Sequence, residues 1–102
     1  MIFKNNGDII RKNDEAGRYW NGKNIFQKSG GILFGSDGSR AVDNGNFVYK
    51  NKKTIVVNGN YLFTSDGRRY VLNEGILFGP RGEQWRGVNS IEEAKDIVSM
   101  QL

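Results

Sequence analysis

Six turn signals divide this chain into pieces too short for most folds. Four are Asn-Gly pairs, at Asn6-Gly7, Asn21-Gly22, Asn44-Gly45 and Asn58-Gly59, and two are Ser-Asp-Gly tips ending at Gly38 and Gly67. Asn and Gly tolerate the positive φ that two-residue hairpin turns demand, and Asp-Gly suits turns closed by a glycine bulge. Between these marks lie short runs rich in Ile, Val, Phe and Tyr. Their spacing predicts strands near residues 32–35, 39–43, 46–50, 54–58, 60–64, 68–73, 75–79 and 83–88. Connections of two to four residues are too short for parallel crossovers, so the sheet is expected to be an antiparallel meander.

An internal repeat supports this reading. Ile32-Leu33-Phe34-Gly35-Ser36-Asp37-Gly38 matches Tyr61-Leu62-Phe63-Thr64-Ser65-Asp66-Gly67, with a third copy at Ile76–Gly82 and a degenerate one at Phe47–Lys53. The starts at 32, 47, 61 and 76 make one repeat equal to one hairpin. The period resembles that of hairpin-repeat families such as MORN arrays. The fixed glycine and aromatic pattern of those families is absent, and no function is carried over from them.

The C-terminus changes character. Ser90-Ile91-Glu92-Glu93 fits a capping box, and Ile91, Ala94, Ile97, Val98 and Leu102 share one face at helical spacing. A helix of about eleven residues is marginal alone, so it is expected to lie on the sheet. Residues 1–30 suggest two further hairpins, across Asn6-Gly7 and Asn21-Gly22. An exposed loop is expected at Lys12–Arg18 and a flexible joint at Ser29-Gly30-Gly31. The expected fold is α+β, mainly β. It is one domain over 1–102, a twisted antiparallel meander of six to nine short strands that can roll into an open barrel, with the C-terminal helix packed on it.

Composition removes much chemistry. The 102 residues include no His and no Cys, so disulfides, thiolate nucleophiles, imidazole bases and the usual zinc, haem and iron–sulfur ligands are excluded. Asp37 and Asp66 sit on equivalent turn tips, where carboxylates ordinarily bond backbone amides. No Ser-x-x-Lys, no G-x-S-x-G elbow and no phosphate loop is present. The expectation is a non-enzyme without cofactor or metal. No apolar run reaches the length of a membrane-spanning helix, and the N-terminus lacks the apolar stretch of a signal peptide. A cytoplasmic protein is therefore expected, in the host cytoplasm if it is phage-encoded.

Fifteen Lys and Arg against eleven Asp and Glu give a net charge of +4. Ile91–Leu102 carries one Lys and three acids, a net of −2, which leaves +6 on residues 1–90. Such a bias favours anionic partners. Strand alternation adds a second clue, because Leu33, Leu62 and Leu77 point opposite to Phe34, Phe63 and Phe78. Both sheet faces are apolar, and one short helix covers only one of them. The other is expected to meet the N-terminal hairpins, a barrel closure, a second copy of the chain or a partner.

These features point to a binding protein that occupies a surface of a larger macromolecule, a protein in preference to a nucleic acid. In style, though not in any motif, they resemble small phage or mobile-element accessory proteins that inhibit host machinery. The alternative is a nucleic-acid-binding module built on an Arg/aromatic patch. The candidate binding residues are Tyr61, Arg68, Arg69, Tyr70, Arg81, Trp85 and Arg86, since Trp, Tyr and Arg dominate interaction hot spots.

Overall fold

In the computed structural model, which describes Met1–Leu102, hairpins run the length of the chain up to the helix. The strands are β1 (Ile2–Lys4), β2 (Ile9–Asn13), β3 (Arg18–Asn21), β4 (Asn24–Ser29), β5 (Ile32–Gly35) and β6 (Arg40–Asp43). They continue as β7 (Phe47–Lys50), β8 (Lys53–Asn58), β9 (Tyr61–Thr64), β10 (Arg69–Asn73), β11 (Ile76–Phe78) and β12 (Gln84–Arg86), followed by α1 (Ile91–Gln101). Each strand pairs antiparallel with the next. The first and last also pair, with Phe3 opposite Arg86 and Lys4 opposite Trp85.

The sheet is a closed barrel of twelve strands rather than an open one of six to nine. The difference lies in residues 1–30. Their hairpins do not fold over the second face of the sheet but extend it. Ser29 pairs with Ile32 across a tight turn in which Gly30 has φ 61°, so the expected joint is a hairpin. The expected loop at Lys12–Arg18 shrinks to a turn over 14–17, and the register passes unbroken from β2 into β3.

Each strand sends one buried apolar side chain inward, and these meet as six cross-strand pairs. They are Ile2–Ile10, Tyr19–Phe26, Leu33–Ala41, Val48–Ile55, Leu62–Tyr70 and Leu77–Trp85. The hairpin repeat is therefore sixfold and covers all of β1–β12, where four copies are visible in the sequence.

Ring size explains the helix. Twelve strands about 4.8 Å apart span a circumference of about 58 Å, hence a diameter of about 18 Å before tilt. Eight strands fill such an interior with their own side chains. Twelve leave a lumen about as wide as an α-helix with its side chains, about 10–12 Å. Helix α1 fills it. Six consecutive residues, Ala94–Ser99, are buried. At 100° per residue they sweep the whole circumference, so the helix is enclosed by the strands rather than laid on one face.

Its start is capped as expected: Ser90, extended at φ −154°, accepts through Oγ the amide of Glu93 at 3.2 Å. Glu93 in turn accepts the amide of Asn89 at 3.3 Å, one residue beyond the reciprocal bond of an ideal capping box.

The Ser-Asp-Gly tips behave as turn chemistry. Asp37 accepts the Ser39 amide at 2.9 Å, and Asp66 accepts from the Thr64 hydroxyl. Gly38 and Gly67 have φ of 86° and 91°, with nothing within 4 Å of where a Cβ would stand. The cost of a side chain there is backbone strain alone. Gly38→Ala and Gly67→Ala should each lower unfolding free energy by about 1 kcal/mol, while Asp37→Asn should change it little. Urea denaturation of the three variants checks this, and unaltered Gly→Ala midpoints would refute it.

Candidate binding surface

Side chains flanking each inward residue must project outward, and the charged residues sort by type between the two faces. Every arginine within a strand, namely Arg11, Arg18, Arg40, Arg69 and Arg86, lies on the outer wall, next in sequence to a core residue. Every lysine within a strand takes the inner phase, Lys4, Lys12, Lys28, Lys50 and Lys53, although Lys53 opens its strand with its side chain exposed. The only acid in any strand, Asp43, also faces inward, opposite Val48. The strands' outer wall thus carries five arginines and no carboxylate.

Three of these lysines hold the helix. Lys12 bonds Glu93 at 2.5 Å, Lys28 bonds Asp96 at 2.7 Å, and Lys50 donates to the Ser99 carbonyl at 2.7 Å. Tyr19 Oη donates to Asp96 at 2.7 Å, while Lys95 on the helix reaches Asp43 at 2.9 Å. Burial pushes the Asp96 carboxyl above the ordinary aspartate range, against the pull of Lys28 and Tyr19. Burial also pushes Asp43 upward but is outweighed by bonds from Lys95 and the Gly45 amide, so that carboxyl lies below its usual range. Burial, then the adjacent Asp96 charge, raises the Tyr19 hydroxyl. These groups are spent on one another, and no buried side-chain polar atom lacks a partner.

The outer wall is different, because its apolar groups have no intramolecular cover. Phe47, Tyr49, Val56, Tyr61 and Phe63 project side by side from β7, β8 and β9, with Phe47 opposite Val56 and Val56 opposite Phe63. Tyr61 is 48% exposed and Phe63 40%. The rings stack in pairs along the strands, Phe47 on Tyr49 at 6.3 Å and Tyr61 on Phe63 at 6.1 Å between centroids. Arginine stands opposite an aromatic ring at four places in the register: Arg86–Phe3, Arg11–Trp20, Arg40–Phe34 and Arg69–Phe63.

The structure divides the residues expected from sequence. Tyr61, Arg69 and Arg86 project outward, and Arg81 is exposed in the turn between β11 and β12. Tyr70 and Trp85 are 1% exposed, which corrects their expected place in a surface patch. They do lie together, at 6.0 Å between ring centroids, but inside the barrel, because both take the inward phase of their strands. Lys4 sits 5.0 Å over the Trp85 ring. Arg68 is half-committed: it bonds the Gln101 carbonyl at 3.2 Å and Asp66 at 3.3 Å, tying the β9–β10 turn to the helix end.

Sequence reasoning missed Phe3, Arg11, Trp20, Phe34, Arg40 and Phe47 as members of this wall. The signal was the opposition of Leu and Phe within each repeat. It shows that the two point apart, and only closure of the ring decides which goes inside.

Three shallow grooves open on the outside of the barrel. One of about 1030 Å³ contains Arg11 and Trp20, one of about 550 Å³ contains Arg40, Phe34 and Tyr49, and one of about 540 Å³ contains Arg69 and Phe78. The last two occupy related places in the repeat, lined by Gly38, Arg40 and Val42 in one and by Gly67, Arg69 and Val71 in the other. No helix is long and apolar enough to cross a membrane. Comparison with protein-family models, with curated proteins and with solved structures finds no match in any of the three.

Proposed function

We propose that this chain is a non-catalytic binding protein that engages a larger macromolecule through the outer wall of its barrel. The supporting observation is the band of Phe47, Tyr49, Val56, Tyr61 and Phe63, each more than a third exposed on adjoining strands. A closed ring has no free strand edge to offer, so recognition by added strands is ruled out. Rigid aromatic groups on paired strands lose little entropy on binding and suit an interaction surface. The inner polar groups, by contrast, are consumed in holding the helix.

Affinity capture from a cell lysate with wild-type protein and with a Tyr49→Ala, Phe63→Ala variant tests this reading. Both rings stand exposed on the outer wall and outside the buried core, so the variant should melt near the wild-type temperature. It should retain at least tenfold less of whatever macromolecule the wild type captures. Identical retention by the two proteins would refute the outer wall as the binding surface.

A further inference from the structure

We infer that the ligand of the outer wall is a single-stranded nucleic acid, held by arginines on its phosphates and by aromatic rings on its bases; this rests on the outer-wall reading above. Three observations converge on it. The first is charge. The strands place every arginine outside and the only strand carboxylate inside, with the lysines in the inner phase, so a chain of net charge +4 presents an outer surface cationic between its rims. Most acids of the chain lie in turns or on the helix, and several are already neutralised: Glu83 by Lys4 at 3.5 Å, Asp66 by Arg68 at 3.3 Å, Glu93 by Lys12 at 2.5 Å.

The second observation is chemical type. Arginine offers a planar fork that grips phosphate with two bonds, which a lysine point charge does not. Exposed aromatic rings stack on bases whose faces are free, at a gain that hardly depends on which base it is. A duplex hides those faces. The ring pairs Phe47–Tyr49 and Tyr61–Phe63 lie on the wall between Arg40 and Arg69, an arrangement of stacking groups flanked by phosphate-binding groups.

The third observation is repetition. The grooves at Arg40 and Arg69 are nearly equal in volume, about 550 and 540 Å³, and each joins one arginine to outward aromatic carbon, Phe34 and Tyr49 in the first and Phe78 in the second. Four inter-strand spacings separate them, about 19 Å along the wall at about 4.8 Å per spacing. Recurrent sites of one chemistry fit a ligand that is itself a repeating anionic chain. A folded protein partner has no reason to present the same group at each.

Fluorescence anisotropy of a labelled mixed-sequence DNA strand of about 20 nucleotides provides the test. The RNA strand of the same sequence and the DNA duplex are measured alongside, each across a salt series. Single strands should bind at least tenfold more tightly than the duplex. The Arg40→Glu, Arg69→Glu variant should flatten the plot of log K against log salt by about 1.4, two phosphates at about 0.7 each. Tyr49→Ala with Phe63→Ala should weaken binding at least about tenfold. Lys23→Glu, in the exposed β3–β4 turn, serves as the control and should have little effect; should either Glu variant melt early, Arg40→Gln with Arg69→Gln replaces it. Equal binding of strand and duplex, or equal damage from Lys23→Glu, would overturn the inference in favour of unspecific charge attraction. No binding to any oligonucleotide, with nuclease-resistant capture of a protein still lost in the wall variants, would overturn it while leaving the proposed function intact. Failure of both assays would remove the outer wall itself.

Discussion

A protein ending at Asn89 is expected to lose its cooperative thermal transition. Without α1 the twelve-stranded ring encloses a space that its own inward side chains do not fill. Ile97 and Val98 are each 0% exposed, and burial of such a side chain contributes about 1.5–3 kcal/mol. Lys12, Lys28 and Lys50 would also lose their partners on the helix, leaving cations facing an apolar interior at several kcal/mol in total. Together these exceed a large part of the 5–15 kcal/mol that typically stabilises a domain. Circular dichroism on heating measures the outcome, and an unchanged midpoint would show that the helix is dispensable. Supplying residues 90–102 as a peptide should restore aromatic near-ultraviolet signal from Tyr19, Tyr70 and Trp85 if enclosure is what orders them. Ser90→Ala removes only the cap and should cost about 1 kcal/mol.

Trp85→Ala should be the most damaging single substitution among the aromatic residues, at about 3–5 kcal/mol. The indole is 1% exposed, packs against Tyr70 and Leu77, and lies beneath the Lys4 ammonium. Its strand forms one side of the β1–β12 seam, with Lys4 directly opposite, so its loss also loosens closure of the ring. Trp20 is the natural comparison. It is half-buried on the outer wall opposite Arg11 and Ile25, and Trp20→Ala should cost far less. Urea denaturation of the two variants decides the matter, and equal losses would mean that inside and outside have been misassigned.

Much of this architecture is legible in the residues. The Asn-Gly and Asp-Gly pairs place the turns, and every strand from β5 to β12 falls within about two residues of its expected span, because short-range turn chemistry sets those boundaries. Ser90 and the Ile91–Leu102 spacing likewise announce the helix. Enclosure of that helix is not a local property. Alternation says that Leu33 and Phe34 oppose each other, but not that the lumen is wide enough for α1, which follows only from a count of twelve strands closing through Phe3 and Arg86. Strands β1–β4 are the hardest to read, being rich in Asn, Lys and Arg. Two of their lysines, Lys12 and Lys28, look like surface charges until Glu93 and Asp96 arrive to meet them. The same limit explains the candidate site: Arg69 and Tyr61 are legible as surface groups, whereas Tyr70 and Trp85 have the same composition signature and the opposite phase.

Closure also sets an order of assembly for the living chain. Most strand pairs join neighbours in sequence, so the hairpins can zip up one after another as they are synthesised. The seam between β1 and β12 and the clasp of Lys12 on Glu93, 81 residues apart, wait until the helix has been made. Until then the curled sheet has two raw edges and a bare apolar lining, the condition in which chains of this kind join one another instead of themselves. Yield in a cell should therefore follow how quickly the last segment finds its way inside, and a slow-closing variant would be lost to aggregation even if its finished fold were as stable as the original.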